Sequence, residues 1–141
     1  MQKEPSVSII IANHNYGRYL SECIKSVLAQ RYQNIEIYIS DNDSSDMSWE
    51  VINSFDKKFP GKFSIAKNNR NKGAQFNYRT WFSQISSDYR ITLTSDDILD
   101  ENYVKRSVEL LEKHRECAFL ITHQSSIAEN GTSSTPKHFF N

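Results

Sequence analysis

Four short polar stretches hold most of the residues in this chain whose types and spacing suit chemistry: Asn13-His14-Asn15, the acidic turn Asp41-Asn42-Asp43-Ser44-Ser45-Asp46, the loop Asn68 to Gly73 (NNRNKG), and Ser95-Asp96-Asp97. Any one of them alone reads as a helix N-cap or a turn, because Asp, Asn and Ser favour such positions through local hydrogen bonds. Two carboxylate clusters held side by side are a different matter, since like charges repel unless a cation or donor groups compensate them. A hard divalent cation, Mg²⁺ or Mn²⁺, answers that repulsion. It prefers carboxylate oxygens, keeps several waters and fills its remaining positions with substrate phosphates. The ligand implied is a nucleoside diphosphate. Neither G-x-G-x-x-G nor G-x-x-x-x-G-K-[ST] occurs in the chain. That absence speaks against an NAD-binding domain and against a P-loop NTPase, both of which neutralise phosphate with a glycine-rich helix N-terminus.

The elements that must position these stretches follow from hydrophobic periodicity. Val7 to Ala12 (VSIIIA) is a short β-branched run, expected of a strand covered on both faces. Leu20, Ile24, Val27 and Leu28 form a helical stripe, and Ile35 to Ser40 (IEIYIS) alternates as a second strand. Trp49, Val51, Ile52, Phe55 and Phe59 recur at helical spacing until Pro60-Gly61, and Phe63 to Ala66 is a shorter strand. Ala74, Tyr78, Trp81, Phe82 and Ile85 trace a third helix, and Arg90 to Thr94 a strand running into Ser95-Asp96-Asp97. A fourth helix spans Glu101 to about His114, Cys117 to Thr122 (CAFLIT) reads as a fifth strand, and residues 124–141 show no periodicity, an irregular tail. This order predicts parallel strands joined by helical crossovers: an α/β, Rossmann-like three-layer α/β/α sandwich with a mainly parallel sheet. Ligands of such sheets bind beyond the carboxyl ends of the strands, where all four polar stretches fall.

The chain has 141 residues, enough for one domain with a packed core. Seventeen basic residues balance 17 acidic ones. No long-range positive field is available, so nucleic acid is not an expected partner. No apolar run is long enough for a transmembrane segment, and Met1 to Pro5 is polar instead of a signal-peptide start, so a cytoplasmic location is expected. Cys23 and Cys117 lie far apart in apolar-periodic segments, which predicts two buried, reduced thiols.

The stretch VSIIIANHNYGRYLSECIKSVLAQRYQNIEIYISDNDSSD resembles the opening of inverting family 2 glycosyltransferases of GT-A fold. The resemblance rests on the strand before His14-Asn15, S-V-L-A-Q at Ser26 to Gln30, Ile35 to Ile39, and a D-N-x-S-x-D turn at Asp41 to Asp46. It continues through Asn71-Lys72-Gly73, an N-x-G, and Ile91 to Asp97 with Ile98-Leu99, a strand with a D-x-D-type end, covering roughly residues 6 to 122. It implies that Ala12 to Asn15 and the Asp41-Asn42 pair hold the nucleobase and ribose of a nucleotide sugar, a UDP-sugar being favoured. It implies that Lys72 and Gly73 belong to the same site, and that Asp96 and Asp97 serve ribose, diphosphate and metal. Thr94 stands where many relatives carry the first aspartate, which leaves open which of Asp96 and Asp97 binds the cation. Ala12 replaces a frequent proline, and Asn42 and Asp43 replace the common Asp-Gly. The resemblance further implies transfer to a hydroxyl acceptor such as a growing glycan. The general base is expected beyond Asn141, the chain being a donor-binding half of a longer enzyme, peripheral at the inner membrane face.

His14 occupies a position where the family tolerates aromatic rings, so packing or base contact is expected of it before acid-base chemistry. Seven basic residues and no acidic one lie between Lys57 and Arg79. They read as solvated surface, Lys72 excepted. Tyr16, Tyr19, Tyr78, Trp81 and Phe82 could stack on a base or sugar, but those on helix stripes are expected in the core. Asn130-Gly131-Thr132 fits a glycosylation acceptor, a match that means little without secretion. Two other classes compete with a transferase. A non-catalytic nucleotide-sugar binding module fits the missing base; a phosphoacceptor receiver domain needs a lysine after the last strand, where Thr122-His123-Gln124 offers none.

Overall fold

The β-branched run after Pro5 forms β1 (Val7–Asn13) in the computed structural model, which describes residues 4–128 and 130–134. There follow α1 (Gly17–Leu28), β2 (Ile35–Asp41), α2 (Ser48–Lys58), β3 (Phe63–Lys67), α3 (Ala74–Phe82), β4 (Tyr89–Thr94) and α4 (Tyr103–Lys113). The sheet order is β3-β2-β1-β4 with every pairing parallel. β1 therefore lies between β2 and β4, where the strand order reverses, and a crevice opens at such a point beyond the strand ends.

Alternation decides which face each strand residue covers. Val7, Ile9 and Ile11 of β1, Ile37 and Ile39 of β2 and Leu93 of β4 pack with Leu20, Ile24 and Val27 of α1, Ile52 of α2, and Val104 and Val108 of α4. Ile10 points the other way, onto Trp81 and Ile85, with Tyr38, Ala66 and Tyr78 around them. The sheet thus has α1, α2 and α4 on one face and α3 on the other, the three layers expected. Ile9, Ile10 and Ile11 are all fully buried, and each such side chain stabilises the fold by about 1.5–3 kcal/mol. Gly17 begins α1 against the start of α2: a Cβ there would lie 2.7 Å from the Ser48 backbone nitrogen, so only glycine lets the two helices approach this closely.

β1, β2 and β3 each run one residue further than their apolar pattern, ending at Asn13, Asp41 and Lys67. Register pairs Asn13 with Asp41 and Asp41 with Lys67. Ladder hydrogen bonds continue into the polar residues and hold them rigidly.

Residues up to Glu109 form one compact unit, and those from Leu110 onward a second. In the second, the strand expected over Cys117 to Thr122 does not form. Phe119 and Ile121 are 72% and 81% exposed. The segment pairs with no strand among the described residues, and an extended segment without a partner leaves its backbone groups to water. Cys117 is accordingly exposed, against expectation, while Cys23 is buried as expected; both are free thiols. Where the sequence shows no periodicity, β5 (Ser126–Ile127) and β6 (Ser133–Ser134) make a short antiparallel hairpin, with Gly131 at φ 80° in its turn. The remainder of the expected tail, residues 135–141, lies outside the described residues. Phe82 also departs from its predicted core position, being 40% exposed, whereas Trp81 is buried.

Candidate functional site

At the end of β1 and β2, Asn13 donates from Nδ2 to Asp41 Oδ1 at 2.8 Å and to Ser44 Oγ at 3.1 Å. Asp41 is fully buried. Its carboxylate also accepts the Ser44 hydroxyl at 2.6 Å and the Ser44 amide at 3.1 Å, so donors satisfy both oxygens, the condition under which a buried carboxylate persists. Asp43 follows at φ 62°. It occupies the left-handed turn for which glycine is usual, and aspartate is among the few other residues that adopt it. Asp46 closes the turn: it accepts the Gly17 amide at 2.8 Å and the Ser48 amide at 3.0 Å, joining the starts of α1 and α2. Burial alone would raise its carboxyl, but the Ser48 hydroxyl and the Gly17 and Ser48 amides outweigh that and hold it below the ordinary range.

Asn42 organises the loop after β3. Its Oδ1 accepts Lys72 N and Asn68 Nδ2, both at 3.0 Å, and its Nδ2 donates to Asn71 Oδ1 at 2.7 Å. Asn77, on α3, accepts from Asn68 at 3.1 Å and donates to the Asn13 carbonyl at 3.4 Å. Asn71 Oδ1 takes the Gly73 amide at 2.8 Å, and Gly73 itself sits at φ 84° just before α3, a conformation glycine adopts without strain. Asn15 Oδ1 accepts Ser45 N at 2.8 Å. Asn13, Asn15, Asp41, Asn42, Lys72 and Gly73 thus share one hydrogen-bonded network. Asn68 and Asn77 were not singled out from the sequence. Asn68 was read as exposed loop yet is 9% exposed, and Asn77 lies between the apolar positions of a helix stripe. The Lys72 side chain rests 4.3 Å over the Phe76 ring, so its backbone and not its ammonium joins the network. The other six basic residues from Lys57 to Arg79 are exposed, as expected of solvated surface.

Asp96 and Asp97 stand apart from that network, at the end of β4. Ser95 N donates to the Ala12 carbonyl at 3.2 Å, placing them beside half-buried Ala12 on the β1 side of the switch point. Thr94 Oγ1 donates to Asp97 Oδ2 at 2.6 Å. Both aspartates are exposed, and among the described residues neither forms an ion pair. Their field reaches inward. Cys23, whose thiol lies 3.6 Å from the Thr94 carbonyl, is pushed up to about 12, by burial first and then by Asp97 and Asp96. The same three causes, in that order, raise Tyr78. Among the described residues no three His, Cys, Asp or Glu side chains gather to hold a metal. Two adjacent carboxylates without a basic partner fit a cation of the Mg²⁺ or Mn²⁺ type, which takes its other ligands from water and phosphate.

The loop that presents this pair is fastened by residues whose part was not legible beforehand. Ser26 Oγ accepts Leu99 N at 3.1 Å, and buried Gln30 donates to the Asp100 carbonyl at 2.7 Å while accepting Val104 N at 3.0 Å. An open groove of about 620 Å³ between α1 and α2, lined by Leu28, Ala29, Phe55 and Phe59 among others, lies away from the strand ends. None of the polar stretches borders it.

A parallel β3-β2-β1-β4 sheet with polar side chains at its switch point defines a Rossmann-like α/β domain. The glycosyl transferase family 2 profile matches residues 8–140. The chain belongs to that family. It is 37% identical over 107 residues to an uncharacterized glycosyltransferase of Nostoc sp. strain PCC 7120, covering 75% of this chain and 33% of the relative. Among solved structures it resembles S. aureus TarS in complex with UDP (TM-score 0.70, 18% identity, 78% of this chain and 33% of that one). It also resembles the mannosyltransferase PcManGT of Pyrobaculum calidifontis in complex with GDP-Man and Mn²⁺ (TM-score 0.72, 15% identity, 78% and 33%). The chain spans about a third of the length of these relatives. Among the described residues no helix is long and apolar enough to cross a membrane.

Proposed function

We propose that residues 1–141 are the donor-binding portion of an enzyme that transfers a sugar from a nucleoside diphosphate sugar, UDP favoured, to a hydroxyl of an acceptor such as a growing glycan. The observation that carries this reading is the pair of exposed carboxylates Asp96 and Asp97 at the end of β4, with no ion pair among the described residues, together with the network of Asn13, Asp41 and Asn42 at the ends of β1 and β2. The network suits an uncharged base and ribose, with Ala12, Asn13, Asn15, Asp41, Asn42, Lys72 and Gly73 around them; the aspartates suit ribose, diphosphate and cation. Asp96 and Asp97 would hold a divalent cation, which when bound would supply charge neutralisation for the diphosphate leaving group. Transfer proceeds by inversion: a carboxylate removes the acceptor hydroxyl proton, the oxygen bonds to the anomeric carbon, and the bond from that carbon to the diphosphate oxygen breaks. No residue of this chain is assigned that role. The likeness to TarS with UDP and PcManGT with GDP-Man and Mn²⁺ supports donor class and cation. We place the protein in the cytoplasm, peripheral at the inner membrane face.

Ligand-observed NMR with UDP, GDP and dTDP against the 141-residue chain tests the donor class. UDP is expected to show the strongest saturation transfer, and adenosine none. Equal signals from all four would contradict the reading.

A further inference from the structure

We infer that His14 is a positioning residue of the donor site, held as the neutral Nδ1–H imidazole, whose Nε2 is the shared acceptor that clamps the Asn68 to Gly73 loop to the end of β1. The argument starts from backbone amides, which can only donate. Gly73 N faces Asn71 at 2.8 Å, so the atom receiving it is Oδ1. Lys72 N faces Asn42 at 3.0 Å, which fixes Asn42 Oδ1 there and turns Asn42 Nδ2 toward Asn71 Oδ1. Asn71 therefore has only its NH₂ left to present to His14 Nε2, at 2.9 Å. Asn15 is oriented in the same way. Ser45 N fixes its Oδ1 at 2.8 Å, and its Nδ2 lies 3.4 Å from the same imidazole nitrogen.

Two amide donors thus converge on Nε2. A proton on that nitrogen would set N–H against N–H at both contacts, so the lone pair is there and the proton is on Nδ1. Nδ1 is buried without a partner in either tautomer, so it does not alter the choice. The lone pair being occupied, His14 is unavailable as a general base; it joins the loops that follow β1 and β3. A phenyl or phenol ring fills the same space but offers Asn71 no ring nitrogen.

That this clamp matters for ligand rests on the donor-site reading above, and the test separates the two. Long-range ¹H–¹⁵N correlation spectra of the labelled, ligand-free chain at neutral pH, with His14 assigned from its disappearance in His14→Phe, report the tautomer directly. Expected are a pyrrole-like Nδ1 and a pyridine-like Nε2. In His14→Phe, amide exchange at Lys72 and Gly73 should accelerate about tenfold and the Kd for UDP with Mn²⁺ should rise about tenfold, the equivalent of one lost hydrogen bond. His14→Gln, which keeps an acceptor, should recover most of both. A protonated Nε2, or loop amides unchanged in His14→Phe, overturns the clamp whatever UDP does. A wild-type chain with the expected tautomer and His14-dependent loop protection, but no affinity for UDP, GDP or dTDP, leaves the clamp standing and overturns the donor-site reading.

Discussion

Asn13 Nδ2 lies 2.8 Å from Asp41 Oδ1, and the two residues are register partners at the ends of β1 and β2. The pair makes the floor of the site part of the sheet. Asp41 has both oxygens already engaged, so in the proposed donor site its part is to shape the surface offered to ligand. Asp41→Ala should destabilise the fold by about 1.5–3 kcal/mol, the value of hydrogen bonds to a charged group. It should weaken UDP binding equally in Mn²⁺ and in EDTA. Urea denaturation and calorimetry check the two effects.

Gln30 is buried and spans from the Ser26 carbonyl to the Asp100 carbonyl and the Val104 amide. Gln30→Ala frees the chain after Asp97 and leaves those backbone groups unpaired, a cost of about 1–3 kcal/mol. A lower urea midpoint is expected, with the larger loss of UDP affinity in Mn²⁺, because the freed loop carries Asp96 and Asp97.

The Asp46 carboxyl, held below its ordinary value of 3.8, gives the fold an acid limb. A group depressed in the folded state contributes stability that is present above the unfolded value and lost as pH falls through the folded one. Stability should therefore decline below about pH 5. In Asp46→Asn that decline should be shallower, from a lower plateau at neutral pH. Urea midpoints across the acid range decide it.

The two thiols should separate kinetically. Cys117 is exposed, whereas Cys23 is buried and pushed up to about 12. The thiolate is the nucleophile, so an alkylating reagent at mildly alkaline pH should label Cys117 alone until the protein is unfolded. Mass spectrometry showing early Cys23 labelling would contradict the packing of α1 against β4.

Much of this arrangement was legible in the amino-acid sequence because the apolar positions of the strands stop abruptly at polar residues: Ile11 gives way to Asn13, and Leu93 to Ser95. What escaped was long-range. Ser26 and Gln30 were noted as part of S-V-L-A-Q, but their partners Leu99, Asp100 and Val104 are some 70 residues away, and local pattern does not encode such pairs. Asn77 escaped because a polar residue inside an amphipathic helix ordinarily faces water. The expected strand at Cys117 to Thr122 failed for the converse reason: a short apolar run specifies a strand only where another strand receives its hydrogen bonds.

The central claim is that Asp96 and Asp97 bind a nucleoside diphosphate through a divalent cation, and isothermal titration of UDP into the 141-residue chain with Mn²⁺ or with EDTA tests it most directly. Wild type should bind measurably with Mn²⁺ and much more weakly in EDTA, and Asp97→Ala should lose that metal-dependent increment while keeping the residual affinity. If UDP, GDP and dTDP bind wild type no better with Mn²⁺ than without it, Ser95-Asp96-Asp97 is a turn and not a metal-diphosphate motif.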